Sequence, residues 1–231
     1  MSSNIGVMGH PIGHTKSPVF QQAGLDALGI KETFEIWDVL PEALADKVAT
    51  FRSDGFLAAC VTLPHKQNVI PMIDELSDAA QAIGAVNWIF NKNGKLIGHN
   101  TDGTGFIRAL REKVGFNPQG GDATIFGAGG AARAVSYALK EAGVRRLTIA
   151  NRTVERAREL ASYLTEARFK PEAISMDRDE LADHVPYSNL LVNATSLGMA
   201  GGPAEFATPV TSDMISADAI GYDVVYAPPI T

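Results

Sequence analysis

A lysine directly after an apolar strand is well placed to meet a ligand, and Val61-Thr62-Leu63-Pro64-His65-Lys66 has that form. Pro64 fixes the turn, and strand ends in α/β sheets are where ligands bind. The Lys66 ammonium can hydrogen-bond a substrate oxygen and exchange a proton with it. Read alone, the same residue also fits a solvated turn lysine. Asp102, within Gly98-His99-Asn100-Thr101-Asp102-Gly103-Thr104-Gly105-Phe106, precedes a helical pattern and suits an N-cap or an acid–base role equally. Asn87 is a polar residue inside Ala85-Val86-Asn87-Trp88-Ile89. Thr15 and Ser17 put two hydroxyls at a helix start, which suits a carboxylate; Ser17-Pro18 also reads as an N-cap followed by Pro at the first helical position. His10, His14 and His65 are candidates to line a cleft, while His99 and His184 stand apart. No His, Cys, Asp or Glu cluster has metal-ligand spacing, so no metal is expected.

A second chemistry is written at Gly127-Ala128-Gly129-Gly130-Ala131-Ala132. An apolar run, Ala123 to Phe126, precedes it, and a helical pattern from Ala131 to Ala142 follows. Strand, glycine turn and helix form a dinucleotide pyrophosphate seat, where backbone N–H groups at the helix start bind the anion. The next apolar run, Leu147 to Ala150, ends in Asn151-Arg152-Thr153. An acidic residue there would grip a ribose 2′-hydroxyl; a cation with two small polar groups suits a 2′-phosphate. The expected cofactor is therefore NADP rather than NAD.

These residues need a scaffold to hold them. The first hundred residues alternate strand patterns (5–8, 33–39, 56–62, 86–90, 95–98) with helix patterns (17–28, 42–52, 77–83). Asn93-Gly94 reads as a hairpin turn. An amphipathic helix over 103–114 leads to a Gly, Asn and Pro break at 115–121. A second series follows, with strands near 123–126, 146–150, 190–193 and 220–225 and helices near 131–142, 153–165 and 178–184. Repeated strand–helix alternation implies parallel sheets covered by helices. The expected fold is α/β with two α/β lobes: a substrate-binding lobe over 1–102, a Rossmann-type NADP-binding lobe over 103–231, and a cleft between them.

Bulk properties narrow the partners. The 231 residues carry a net charge of −6 without a basic stretch, so neither nucleic acid nor an anionic membrane is an expected partner. The N-terminus lacks a signal-peptide pattern, and no window approaches ~18 uninterrupted apolar residues. A cytoplasmic monomer or homodimer acting on a small molecule is the expectation. Cys60 is the single cysteine and lies in an apolar run, which reads as a buried, inert thiol.

Together these segments resemble the shikimate dehydrogenase family over nearly the whole chain. The resemblance runs through residues 9–18, 61–66, 84–87, 100–106, 127–134 and 151–153. It continues in Asn193-Ala194-Thr195-Ser196-Leu197-Gly198-Met199 and Tyr222-Asp223-Val224-Val225-Tyr226-Ala227-Pro228. It implies NADPH-dependent reduction of 3-dehydroshikimate, with Lys66 and Asp102 as the catalytic pair at the reacting hydroxyl. It implies that Asn87 and Thr62 hold ring hydroxyls, that Thr15 and Ser17 hold the carboxylate, and that Tyr226 closes on the substrate. Gly127, Ala128, Gly129, Gly130 and Ala131 fall to the pyrophosphate, and Asn151, Arg152 and Thr153 to the 2′-phosphate. Thr195, Ser196, Val224 and Asp78 fall near the cofactor. The family usually has Ser at position 15, Asn at 60 and Thr at 88, where this chain has Thr, Cys and Trp. Those departures make quinate or another polyol acid the alternative substrate. The family also continues past position 231 with helices that carry a substrate-contacting glutamine and pack on the first lobe. Without them the expectation is exposed apolar surface there, and a non-catalytic NADP-binding module is the third reading.

Overall fold

The computed structural model describes residues 4–13, 15–202 and 204–228. The chain divides into two compact units, Met1–Thr101 and Asp102–Thr231.

The first unit holds β1 (Ile5–Gly9), α1 (Ser17–Ala27), β2 (Phe34–Asp38), α2 (Leu44–Thr50), β3 (Ala58–Val61), α3 (His65–Asn68), β4 (Glu75–Leu76), α4 (Asp78–Ile83), β5 (Trp88–Lys92) and β6 (Lys95–His99). The six strands form one sheet in the order β2-β1-β3-β5-β6-β4. Every residue of β1 is buried, as its uninterrupted run Ile-Gly-Val-Met-Gly requires of a strand flanked on both edges and both faces. On one face Met8, Val61, Ile89 and Leu96 pack with Leu44 and Val48 of α2 and with Phe51 and Phe56, whose rings stack at 4.3 Å. On the other face Ile5, Val7 and Ala58 pack on Leu25 of α1.

This sheet is mixed rather than parallel throughout, which corrects the expectation from alternation. β5 runs antiparallel to both β3 and β6. The cause is local: Asn93 and Gly94 take positive φ, 56° and 82°, the left-handed pair of a two-residue hairpin, and such a turn joins only antiparallel strands.

The second unit holds α5 (Asp102–Ala109), β7 (Asp122–Phe126), α6 (Gly130–Glu141), β8 (Arg146–Ala150), α7 (Val154–Leu164), β9 (Glu172–Ile174), α8 (Arg178–Ala182), β10 (Leu190–Asn193) and β11 (Ile220–Asp223). Its five strands are all parallel, in the order β11-β10-β7-β8-β9. Ile125, Ile149 and Val192 pack under Val135 and Leu139 of α6 and Leu160 of α7; Phe126, Ala150 and Leu191 pack on Leu181 and Val185. The amphipathic pattern expected over 103–114 begins at Asp102 and changes to a π-helical turn at Leu110–Val114, closed by Gly115. Among the described residues no helix is long and apolar enough to cross a membrane.

Candidate functional site

In the first unit, β1, β3 and β6 run one way and β5 the other, so the ends of the first three and the start of β5 share one edge of the sheet. Thr62, directly after β3, and Asn87, directly before β5, lie at that edge. Thr62 follows β3, and its N–H donates to the Met8 carbonyl at 2.9 Å. α3 opens three residues later, held by the His65 N–H on the Thr62 carbonyl at 2.9 Å. His65 is fully buried, and its Nε2 donates to the Val39 carbonyl at 2.6 Å. That bond is structural, so of the histidines expected to line a cleft His65 is a core residue. His10 lies beside Asp38 at 2.7 Å, and His14 is outside the described residues.

Lys66 is half-buried, and its carbonyl accepts the Val86 N–H at 2.7 Å. Asn87, next in the chain, is only 6 % exposed. Its Nδ2 donates to the Thr101 hydroxyl at 2.9 Å, and its Oδ1 accepts the Thr101 N–H at 3.0 Å. Lys66, Asn87 and Thr101 are thus tied in series, and Asp102 comes one peptide bond later. Asp102 is the first residue of α5 instead of preceding it.

Thr15 and Ser17 differ from the capping expectation. Lys16 occupies the N-cap position of α1 and Ser17 is its first residue; the Ser17 side chain does not cap. The Thr15 hydroxyl accepts the Ser17 N–H at 3.3 Å and donates to Ser17 Oγ at 3.2 Å, so the two hydroxyls form a pair. Cys60 is part-buried rather than buried, on the sheet face that carries Trp88, its partner on β5. Asp78 is exposed at the start of α4, where Ser77 caps the helix by accepting the Ala80 N–H.

In the second unit, β7 and β10 are neighbours from which the chain proceeds to opposite sides of the sheet. This is the switch point where ligands of open α/β sheets bind. Gly127 leaves β7 with φ of 112°, and a Cβ there would stand 2.8 Å from the Ala194 carbonyl oxygen. Only glycine fits. Gly129 is the N-cap of α6 with no side-chain cap, and a Cβ there would meet nothing within 4 Å. Open space over uncapped helix N–H groups fits a pyrophosphate. Asn151 Nδ2 donates to the Thr153 carbonyl at 2.8 Å, closing the turn that presents the exposed Arg152. Thr153 is the N-cap of α7 and its side chain makes no cap bond.

Three residues were missed by sequence reasoning. Asn193 and Asp223 are hydrogen-bonded at 3.1 Å and organise the turns after β10 and β11, which carry Thr195, Ser196, Val224 and Tyr226. Their signal was present, polar residues ending apolar strands, but their pairing spans 30 residues. Arg133, in the first turn of α6, lies over the Tyr163 ring at 4.9 Å; burial pushes its guanidinium pKa down, and nearby Arg156 acts the same way. Among the described residues no group of His, Cys, Asp and Glu is set to hold a metal ion.

Comparison with known proteins matches residues 7–89 to the family described as the shikimate dehydrogenase substrate binding domain, and residues 110–199 to shikimate/quinate 5-dehydrogenase. The shikimate dehydrogenase (NADP(+)) of Methanopyrus kandleri is 44% identical over 98% of this chain and 78% of its own length. The structure of Thermus thermophilus shikimate 5-dehydrogenase with NADP(H) and shikimate superposes with a TM-score of 0.80. It is 37% identical, and the match covers 97% of this chain and 79% of that one. The Listeria monocytogenes shikimate 5-dehydrogenase in complex with shikimate and NAD gives a TM-score of 0.83 at 34% identity, over 97% of this chain and 78% of that one.

Proposed function

The chain belongs to the shikimate dehydrogenase family, and from that premise we propose that it catalyses the reversible NADPH-dependent reduction of 3-dehydroshikimate to shikimate. Residues 1–102 hold the substrate and residues 103–231 hold NADP(H). The observation that carries this reading is the hydrogen-bonded series Lys66–Val86, Asn87–Thr101 at one sheet edge, ending next to Asp102.

Reduction of a ketone builds negative charge on its oxygen. The Lys66 ammonium stabilises that charge and delivers the proton; in the oxidative direction the Lys66 amine takes it back. Asp102 accepts hydrogen bonds from the ammonium and the substrate hydroxyl, fixing both. Thr62 and Asn87 bind ring hydroxyls, and Tyr226 covers the ring. Thr15 and Ser17, whose hydroxyls are hydrogen-bonded to each other, bind the carboxylate. Gly127, Ala128, Gly129, Gly130 and Ala131 seat the pyrophosphate, Asn151, Arg152 and Thr153 the 2′-phosphate, and Thr195, Ser196 and Val224 the nicotinamide end, with Asp78 nearby. Bound NADP(H) supplies or accepts the hydride. The enzyme works in the cytoplasm as a monomer or homodimer.

The test is NADPH formation by the purified chain from shikimate and NADP. Turnover is expected; its absence at saturating concentrations overturns the reading. One observation favours a second substrate. Cys60 and Trp88 face each other across β3 and β5, and Thr15 adds a methyl beside Ser17. A kcat/KM for quinate above that for shikimate would assign the enzyme to quinate.

A further inference from the structure

Asn193 holds two segments at once. It ends β10 and is 7 % exposed. Its Oδ1 accepts the Thr195 N–H at 3.1 Å and the Thr195 hydroxyl at 2.6 Å. Its Nδ2 donates to the Leu197 carbonyl and to Asp223 Oδ1, both at 3.1 Å. Asp223 Oδ1 also accepts the Val225 N–H at 2.8 Å, and the Asn193 carbonyl accepts the Val224 N–H at 2.9 Å. The amide is thus used at both its ends. One buried side chain stands between the turn Thr195–Leu197 after β10 and the turn Val224–Tyr226 after β11.

We propose that Asn193 is a positioning residue that couples these two turns, so that the nicotinamide-end loop and the segment carrying Tyr226 reach their working positions together. The inference rests on the proposed function, which gives Thr195 and Ser196 to the cofactor and Tyr226 to the substrate. Only an amide offers acceptor and donor at this span. A carboxylate at position 193 still accepts from Thr195, but it turns its second oxygen toward two acceptors, Asp223 Oδ1 and the Leu197 carbonyl, each 3.1 Å from the amide nitrogen of the wild type. Two carboxylates that close do not both ionise. They share a proton, which restores one hydrogen across the gap and is lost as pH rises. Moving the amide to position 223 removes the second charge but not the lost donor: Asp223 Oδ1 meets both position 193 and the Val225 N–H, so an amide there keeps only one of the two contacts, and the Leu197 carbonyl does not regain the donor that Asn193 gave it.

The experiment compares the wild type, Asn193→Asp, Asp223→Asn and the double variant. It reads steady-state kinetics with shikimate and NADP across pH, and amide hydrogen exchange. Asn193→Asp is expected to lower kcat at least ~10-fold at alkaline pH, with the loss shrinking as pH falls. The KM for NADP stays within ~3-fold, because the Gly127 turn and Arg152 are untouched. Asp223→Asn alone stays near wild type, since its oxygen accepts the same two N–H groups. The double variant recovers kcat only in part and loses most of the pH dependence, because a single carboxylate remains. Exchange over residues 195–198 and 223–226 rises together in Asn193→Asp and stays raised in both segments in the double variant. A wild-type kcat in Asn193→Asp at every pH, a double variant that keeps the full pH dependence of Asn193→Asp, or loosening of one segment alone overturns the proposal. If Asn193→Asp does not fold, Thr195→Val removes one bond of the hub and must still loosen 223–226; protection there unchanged also overturns it. If the wild type fails to turn over shikimate, the functional reading fails, while the exchange comparison still decides the coupling.

Discussion

At the scale of single residues, Lys66 owes its place to main chain as much as to side chain: its carbonyl is held at 2.7 Å by Val86, directly before Asn87. A residue fixed this way can lose its ammonium without moving the backbone. Lys66→Ala is therefore expected to lower kcat by at least ~100-fold, the lower end for a general acid–base group, with little change in NADP affinity. An unchanged kcat removes Lys66 from the mechanism. Arg152 invites a separate test. A charge-assisted bond to a 2′-phosphate contributes about 1.5–3 kcal/mol, so Arg152→Ala should weaken NADP by roughly 10- to 100-fold. NAD, which lacks that phosphate, should bind nearly as before. Equal weakening of both nucleotides sinks the assignment. The strand-to-helix junctions that carry Lys66, Asp102 and the glycine turn were legible, because an apolar strand followed by a turn and a helical period shows in local pattern; the roles of Lys66 and Asp102 came from the family resemblance. Asn193 and Asp223 were not legible, because a hydrogen bond between the ends of two strands leaves no local spacing to read.

At the scale of elements, the turn from β7 into α6 separates shape from function at adjacent glycines. Gly127 carries a positive φ and faces the Ala194 carbonyl, so Gly127→Ala costs roughly 1–3 kcal/mol of strain and should lower both Tm and NADP affinity. Gly129 has ordinary φ and open space, so Gly129→Ala should leave Tm almost unchanged while its methyl stands where the phosphates approach. NADP affinity measured by titration should fall for both. Unchanged binding by Gly129→Ala would mean the pyrophosphate lies elsewhere. The longer helices and buried strands match the sequence pattern to within a residue or two. The edge strands β4 and β9, two and three residues long, were missed, since period-two alternation cannot show itself over so few positions. The mixed sheet was missed for another reason: Asn93-Gly94 announced its hairpin, but not where in the sheet that hairpin pairs.

At the scale of the whole molecule, acid stability has an identifiable source. Asp122 begins β7, buried, with hydrogen bonds from Arg145 and Arg146. These bonds, that from Arg145 foremost, hold its carboxyl below the usual carboxylate pKa. A depressed folded-state pKa means the stabilisation is complete above about pH 4 and is lost as pH falls further. Asp122→Asn should lower Tm at neutral pH by roughly 4–8 °C, on the order of 2 kcal/mol. The gap from wild type should narrow in strong acid; calorimetry showing the same gap at both pH values would refute this source. β7 thus runs from an ion cluster at Asp122 to the nucleotide turn at Gly127, roughly 16 Å at ~3.3 Å per residue. Changes that far apart contribute independently. The strand therefore gives the chain room to evolve: substitutions that retune nucleotide choice at one edge, even destabilising ones, can be offset by tightening the ion cluster at the other without altering what the site recognises.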